Sequence, residues 1–274
     1  MRLEVLVATM NQTDINLVEK MNVKTDVLFI NQTNENTYYE TKINNRCIRM
    51  LSNTQRGLSK SRNQALLHSN ADICLIADDD IRYKDDYEEK VLSAFRSLPN
   101  ADIIIFNTSM INYSGKIKRK DIKKIRRAPK YRNYGSVRIA FKRSSFLKNN
   151  IWFNICFGAG SIFGAGEETL LIREANRLGL KIYEYPENIA DVDYSVSSWF
   201  EGYNAKYFYD KAAFLAAAYP KLKYLLMFYY IFKFKNYTEL NIKEIFIAMK
   251  FGFKGYDKLK SFEEYTNLLQ KKCK

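Results

Sequence analysis

Short apolar runs alternate with segments of helical periodicity in the first half of the chain. The apolar runs predict four β-strands, at Leu3–Val7, Val27–Ile30, Ile73–Ala77 and Ile103–Phe106. The segments between them predict helices at Asp14–Lys20, Gly57–Ser69 and Asp85–Leu98. Strands that alternate with helices favour a parallel sheet covered by helices. We therefore predict an α/β fold with a mostly parallel, Rossmann-like sheet.

The pattern is less regular in the second half. We predict a strand at Val137–Phe141, a glycine-rich loop at Gly158–Gly166, a helix at Glu167–Leu178, and a strand at Lys181–Tyr185 that ends at Pro186. From about residue 203 onward the periodicity is helical only. The predicted organisation is a domain over residues 1–202 and a helical, basic, aromatic-rich extension over residues 203–274.

Composition excludes several classes of protein. Hydrophobic residues make up 47% of the 274 residues, which is enough for a large core. The four cysteines form no C-x-x-C pair, which argues against a zinc site or a disulfide scaffold. The one histidine, His68, excludes a multi-histidine metal centre, and we expect it only to end its helix. The N-terminal segment lacks the features of a secretory peptide, so we expect a cytoplasmic protein.

The net charge of +14 is concentrated in two segments. Residues 116–133 contain ten Lys and Arg and one Asp, without core periodicity, and this predicts a mobile loop. Residues 203–274 contain fourteen Lys and six acids. Such segments bind nucleic acid or an anionic membrane surface, or are simply solvated.

One segment of the extension favours the membrane. The stretch 224–235 is dense in aromatic residues and too short to cross a bilayer. It is bordered by four lysines, Lys221, Lys223, Lys233 and Lys235. An interfacial helix has this composition, although a helix buried in the extension is the alternative. The interfacial interpretation predicts a cytoplasmic protein that lies peripherally on the inner face of the cell membrane.

Three adjacent acids, Asp78, Asp79 and Asp80, follow the predicted strand at Ile73–Ala77. Ligands of open parallel sheets bind at the carboxyl ends of strands. Neighbouring carboxylates repel one another unless a cation offsets their charge, and hard oxygen ligands suit Mg²⁺ or Mn²⁺. The cluster therefore predicts a metal site, and a solvated acidic turn is the alternative.

Charged residues also stand at two predicted helix starts. Glu167 and Glu168 follow Gly166, where one of them can serve as a general base, although the helix dipole alone also favours acids there. Arg56 and Arg62 flank the start of an earlier helix. Cations in this position suit a diphosphate or a sugar, and ordinary surface cations are the competing interpretation.

Taken in order, these motifs resemble the family 2 glycosyltransferases of the GT-A fold, which use nucleotide-diphosphate sugars. The resemblance covers about residues 1–200. It rests on a first strand ending at Ala8-Thr9, then Arg56–Asn63, Asp78–Asp80 and Gly166-Glu167-Glu168. The runs Phe157–Gly160 and 197–204 also resemble bacterial members that build surface polysaccharides.

The resemblance implies a metal-dependent, inverting hexosyltransferase whose donor is a UDP-sugar. The residues that it implies at the nucleotide sugar are Thr9, Asn31, Gln32, Arg56, Arg62, Asp78 and Asp79. Family members often carry an acidic pair where this chain has Asn31-Gln32. Asp80, with Asp78, is implied to hold Mn²⁺ or Mg²⁺, and Glu168 is the implied base, with Glu167 as the alternative.

The implied acceptor is a glycan or a lipid-linked molecule. Trp199 is a candidate for stacking on an acceptor sugar, although a tryptophan in the core is equally compatible with the sequence. Gly158 and Gly160 are further candidates at the acceptor.

Two other functions compete with this interpretation. A metal-dependent nucleotidyltransferase also needs paired acids, but it usually carries a glycine-rich basic loop after the first strand, where this chain has Thr9-Met10-Asn11-Gln12. A basic, non-enzymatic nucleic-acid-binding protein is the second alternative. The sequence contains no nucleic-acid-binding motif, so we expect no nucleic-acid partner.

Overall fold

The computed structural model of the protein describes residues 1–112, 120–130, 132–195 and 201–272. The chain divides into two compact units. The first comprises Met1–Arg56, Lys60–Phe153 and Leu171–Ser197, and the second comprises Gly57–Ser59, Asn154–Leu170 and Ser198–Lys274. The domain boundary that we place after residue 202 stays a prediction.

The first unit contains one sheet. Its strands are β1 (Leu3–Met10), β2 (Asp26–Gln32), β3 (Thr37–Ile43), β4 (Arg46–Asn53), β5 (Ile73–Asp78), β6 (Ile81–Tyr83), β7 (Ile103–Ile111), β8 (Arg126–Arg127), β9 (Ile139–Lys142) and β10 (Ile182–Asp193). Their order is β3-β4-β2-β1-β5-β9-β7-β10-β6, and β8 pairs with β10. The run β4-β2-β1-β5 is parallel, as is the pair β7-β10, whereas β9 is antiparallel to both neighbours. The predicted α/β sheet is confirmed.

The predicted helices are present among the described residues with shifted ends, and one short helix, at Arg143–Lys148, has no predicted counterpart. The helices are α1 (Leu17–Lys20), α2 (Leu58–His68), α3 (Tyr87–Ser97), α4 (Arg143–Lys148), α5 (Glu167–Arg177), α6 (Ala205–Ala218), α7 (Lys223–Phe234), α8 (Ile242–Lys258) and α9 (Phe262–Lys272). A 3₁₀ turn at Ser136–Arg138 replaces the first part of the strand predicted at Val137–Phe141. The helical prediction for the C-terminal part of the chain is confirmed.

Alternation of side chains along the strands builds a core on each face of the sheet. Val5 and Val7 of β1 pack into the layer that includes α3, whereas Leu6 packs into the opposite layer with residues of α2 and α5. Each large side chain buried in this way stabilises the fold by about 1.5–3 kcal/mol. The two cores fix β1 and β5 at the centre of the sheet, with their carboxyl ends at one edge.

The hairpin β3–β4 has no counterpart among the predicted elements. Seven residue pairs join the two strands in register, from Thr37↔Ser52 to Ile43↔Arg46. Asn44 and Asn45 turn the chain with positive φ angles of 50° and 62°, which asparagine tolerates in a two-residue hairpin. The side chains of β3 are mostly exposed, so this strand lacks the apolar alternation from which strands are predicted.

The strand predicted to end at Pro186 continues to Asp193. Its pairing with β7 shifts register between Glu184 and Asn188, which marks a bulge around the proline. Because a bulge leaves a residue outside the ladder, it accommodates the missing N–H of proline. The prediction that proline ends this strand is wrong for that reason.

The described part of the basic stretch 116–133 is attached to the sheet. Ile122 is buried, and its N–H donates to Asn107 Oδ1 at 2.9 Å. Arg126 Nε and Arg132 Nη1 donate to the buried carboxylate of Glu184 at 2.6 and 2.7 Å. For these residues, the prediction of a loop without core contacts is wrong, because a buried acid on β10 attracts the arginines. Residues 116–119 and 131 lie outside the described residues.

Candidate active site

The carboxyl ends of β1 and β5 bring several of the predicted residues together. Ala8 pairs with Asp78 in the register of the two strands, and the Thr9 hydroxyl donates to an Oδ atom of Asp79. Thr9 also pairs with Asn31 of β2. The strand register therefore brings four of the predicted residues together at the carboxyl ends of the central strands: Thr9, Asn31, Asp78 and Asp79.

Asp78 is held by two donors. Arg62 Nη2, which is almost completely buried, donates to Asp78 Oδ1 at 2.8 Å, and Ser136 Oγ donates to the other oxygen at 3.3 Å. The guanidinium of Arg62 also donates to Ser136 Oγ and lies 5.4 Å from the ring centroid of Phe153. Arg62 thus compensates the charge of the first acid of the cluster and fixes its orientation.

Asp80 carries charge that its surroundings do not compensate. Although the residue as a whole is exposed, desolvation of its carboxyl group and repulsion from Asp78 and Asp79 raise its pKa to about 6. Within the described residues, no three His, Cys, Asp or Glu side chains are arranged to hold a metal ion. Mg²⁺ and Mn²⁺ at nucleotides usually need only one or two carboxylates, since phosphates and water complete the shell. A surplus of negative charge on hard oxygens therefore fits such a cation.

Asn31 and Gln32 are both buried at the end of β2. Asn31 Oδ1 accepts from the backbone N–H of Gln12, and its Nδ2 donates to the Gln12 carbonyl at 2.8 Å and to Ser52 Oγ at 3.1 Å. Through these hydrogen bonds the Asn31 side-chain amide holds the loop that follows β1. Where family members often carry an acidic pair, this chain therefore has an asparagine that supports the loop after β1.

Arg56 braces the loop after β2. Its Nη1 donates to the Thr33 carbonyl at 2.6 Å, and its Nη2 donates to Asn34 Oδ1 at 2.8 Å. The residue is exposed. The resemblance implies that Arg56 lies at the nucleotide sugar, and these contacts give it a role in bracing the loop after β2.

In the second unit, the glycine-rich loop packs against the start of α2. Leu58 N–H donates to the Ala159 carbonyl at 2.9 Å, and Ser59 Oγ donates to the Phe157 carbonyl at 2.6 Å. Gly158 has a φ of +107°, and a Cβ there would lie 3.2 Å from Ser59 Oγ and 3.3 Å from the Glu167 carboxyl carbon. Glycine is therefore needed at Gly158 for close packing as well as for backbone conformation.

The two glutamates at the start of α5 differ in exposure. Glu167 is buried beside Gly158, whereas Glu168 is half-buried. Gly166 precedes them with a φ of +114°, and a Cβ there would lie 2.5 Å from the Phe214 ring. Because a general base must reach the acceptor hydroxyl, the greater exposure favours Glu168 over Glu167.

A cavity of about 260 Å³ lies beside this loop, and the sequence interpretation did not find it. Gly160, Gly164 and Ala165 line one side, and Lys206, Asp210 and Lys211 of α6 line another. The i, i+4 spacing of Lys206 and Asp210 was the signal available in the sequence, but such pairs also occur on ordinary helix surfaces. Gly158 is not among the lining residues, and Trp199 lies outside the described residues.

Comparison with known proteins identifies the family and the fold of the chain. The model of the family described as "Glycosyl transferase family 2" matches residues 25–169, more than half of the chain. No match was found among curated proteins. The solved structure of S. aureus TarS 1–349 in complex with UDP-GlcNAc has a TM-score of 0.59 and 15% identity, covering 96% of this chain and 77% of that one.

Two further structures of the same protein are similar. TarS 1–349 in complex with UDP gives a TM-score of 0.56 at 15% identity, with coverage of 96% and 77%. TarS 1–349 alone gives 0.58 at 12% identity, with coverage of 96% and 93%. These likenesses confirm the GT-A fold, and the extent of the family match establishes that the chain belongs to the family 2 glycosyltransferases.

Proposed function

We propose that the protein is an inverting glycosyltransferase that moves a hexose-type sugar from UDP to a hydroxyl of a glycan or lipid-linked acceptor. The observation that carries the proposal is the acidic cluster Asp78–Asp80 at the carboxyl end of β5, within the segment that matches the family. The similarity to a protein solved with UDP-GlcNAc and with UDP supports a UDP-sugar as donor. The resemblance to bacterial enzymes of surface polysaccharides, such as capsules, supports this class of acceptor.

Residues at the sheet edge bind and orient the donor in this proposal. Thr9 and Asp79, which hydrogen-bond to each other, line the base and ribose together with the loop that Asn31 supports. Asp78, oriented by Arg62, contacts the ribose. Asp80 and Asp78 are the residues that would hold Mn²⁺ or Mg²⁺, which when bound neutralises charge on the diphosphate.

Glu168 is the proposed base. Its carboxylate takes the proton of the acceptor hydroxyl as the hydroxyl oxygen forms a bond to the anomeric carbon. The bond from that carbon to the diphosphate oxygen breaks, and its electron pair leaves with UDP. A single displacement of this kind inverts the anomeric centre. The half-buried position of Glu168 and its electrostatic interaction with Lys211, which lines the cavity, support the assignment.

We further propose that α7 holds the enzyme on an anionic membrane surface. Met227 and Ile231 are its buried residues, whereas Leu225 and Phe232 are 68% and 60% exposed. Residues 211–238 contain five lysines and no acid. Among the described residues, no helix is long and apolar enough to cross a membrane. An exposed aromatic face bordered by lysines suits a helix lying in the plane of the interface.

Release of UDP from UDP-sugars tests the proposed reaction. We expect Glu168→Gln to bind the donor as the wild type does and to lose most turnover, about 10²–10⁴-fold for removal of a general base. Glu167→Gln is the matched control, because it removes the neighbouring carboxylate. Full activity of Glu168→Gln would exclude this residue as the base, and loss in Glu167→Gln alone would transfer the role to Glu167.

A further inference from the structure

The cavity beside the glycine-rich loop contains a lysine in an unusual environment. Lys211 lines the cavity from α6, and its Nζ lies 5.6, 5.2 and 5.4 Å from the ring centroids of Tyr207, Phe214 and Tyr230. In the described part of the chain, this ammonium has neither an ion pair with a carboxylate nor a hydrogen bond. Three aromatic faces therefore surround the ammonium of a half-buried lysine.

The charges around Lys211 leave it uncompensated. Burial lowers its pKa, repulsion from Lys233 lowers it further, and Glu168 acts in the opposite direction through space. Cation–π contacts offset only part of the cost of desolvating an unpaired ammonium. A bound anion would supply the missing partner.

The other charged residues that line the cavity are paired or exposed. Lys206 Nζ lies 2.9 Å from Asp210 Oδ2, and the same oxygen accepts from the backbone N–H of Gly164 at 3.2 Å. This pair ties α6 to the glycine-rich loop. Glu201, the remaining acid, is exposed. Lys211 is therefore the cation of this cavity that is available to a ligand.

We propose that Lys211 binds an anionic group of the acceptor, a phosphate or a carboxylate, next to the hydroxyl that receives the sugar. The inference rests on the proposed function, because it takes the acceptor to bind beside Glu168. A volume of about 260 Å³ admits one small unit, such as a glycerol phosphate or a single uronic acid. Tyr207 and Phe214 would cover the apolar faces of that unit.

Ligand-observed NMR on the full chain tests the proposal with four small probes. Glycerol 3-phosphate and glucuronic acid carry the two anionic groups, and glycerol and glucose are their neutral counterparts. We expect at least one acidic probe to bind the wild type and its neutral counterpart to bind far more weakly. Lys211→Met, which keeps the apolar stem among the rings, should weaken that binding about 10-fold or more, the usual worth of a charged hydrogen bond. Lys254→Met on α8, an exposed lysine, should bind like the wild type.

The proposal is overturned if neither acidic probe binds, if neutral probes bind equally well, or if Lys211→Met binds like the wild type. If Lys211→Met does not fold, Ala165→Trp tests the site from the opposite wall, because the larger side chain would fill the cavity and should abolish acid binding. UDP binding, measured in parallel, separates this proposal from the reaction. Asp80→Ala should lose metal-dependent binding of UDP and still bind the acidic probe. Lys211→Met should still bind UDP in a metal-dependent way and lose binding of the acidic probe.

Discussion

Arg62 Nη2 lies 2.8 Å from Asp78 Oδ1, and the arginine side chain is only 3% exposed. A buried guanidinium next to the first of three acids compensates one negative charge of the cluster. The pair also joins α2 to the end of β5, so the residue that orients the acidic cluster belongs to the core of the sheet.

Replacement of Arg62 should both destabilise the protein and disturb the acidic cluster Asp78–Asp80. We expect Arg62→Gln to lower the free energy of unfolding by about 3 kcal/mol, because it leaves a partly buried carboxylate without its partner. The double variant with Asp78→Asn should recover part of the loss, with a coupling of about 1 kcal/mol or more. Urea unfolding of the four proteins measures the coupling, and strictly additive effects would show that the two residues act independently.

Glu184 should make stability depend on pH. The carboxylate of Glu184 is fully buried and accepts hydrogen bonds from Arg126, Arg132 and Tyr134. Burial raises the pKa of this carboxyl group, but the three donors lower it by more, so its pKa lies below the ordinary value. A lowered pKa in the folded state stabilises the protein above the unfolded value of about 4.3, and this stabilisation disappears as pH falls through the folded pKa.

We therefore expect Glu184→Gln to lower the free energy of unfolding by about 3 kcal/mol at neutral pH and by less at acidic pH. Denaturant unfolding of wild type and variant at several pH values measures the difference. Glu187→Gln on the same strand is the control, since Glu187 is 44% exposed and lies 3.6 Å from Lys90. A cost that stays constant down to low pH would mean that the charge of Glu184 does not contribute.

Gly252 should be required for the packing of the helical unit. A Cβ at this position would lie 2.2 Å from the backbone oxygen of Tyr209, so α8 approaches α6 as closely as glycine allows. We expect Gly252→Ala to lower the melting temperature through a loss of about 1–3 kcal/mol, the cost of overpacking. Gly135→Ala, where a Cβ meets nothing within 4 Å, should have little effect. Equal melting temperatures for the two variants would contradict the close packing.

The exposed face of α7 should bind anionic vesicles at low salt. Replacing Leu225 and Phe228 with serine should weaken sedimentation with such vesicles by about 10-fold or more, because each apolar side chain that inserts contributes about 1.5–3 kcal/mol. Ile247→Ser is a control, since Ile247 is a 39% exposed apolar residue that belongs to α8. Failure of the wild type to sediment, or equal sedimentation of all variants, would remove α7 as a membrane contact.

The sheet and the acidic cluster were predictable because local patterns determine them. The buried strands β1, β2, β5 and β7 are apolar runs, and the acids at Asp78–Asp80 stand directly after one of them. The exposed strand β3 carries no such pattern, and the passage of β10 through Pro186 depends on a bulge against β7. Both features require knowledge of the partner strand.

Residues paired over long sequence distances were the least predictable. Nothing near Glu184 in sequence indicates that Arg126 and Arg132 fold onto it, so the basic stretch resembled a solvated loop. The environment of Lys211 depends equally on tertiary packing, because Tyr230 belongs to another helix. The amide of Asn31 was expected at the nucleotide, but its hydrogen bonds with Gln12 and Ser52 became visible only in three dimensions.

Calorimetric titration of UDP into the protein, with and without Mn²⁺, tests the central claim most directly. We predict that wild type binds UDP much more tightly with Mn²⁺, that Asp80→Ala loses this gain, and that the exposed-site control Asp257→Ala keeps it. Because the pKa of Asp80 is about 6, the gain should also shrink below that pH as the carboxyl is protonated. Binding of UDP that is identical with and without Mn²⁺, or unchanged in Asp80→Ala, would contradict a metal-dependent donor site at the end of β5.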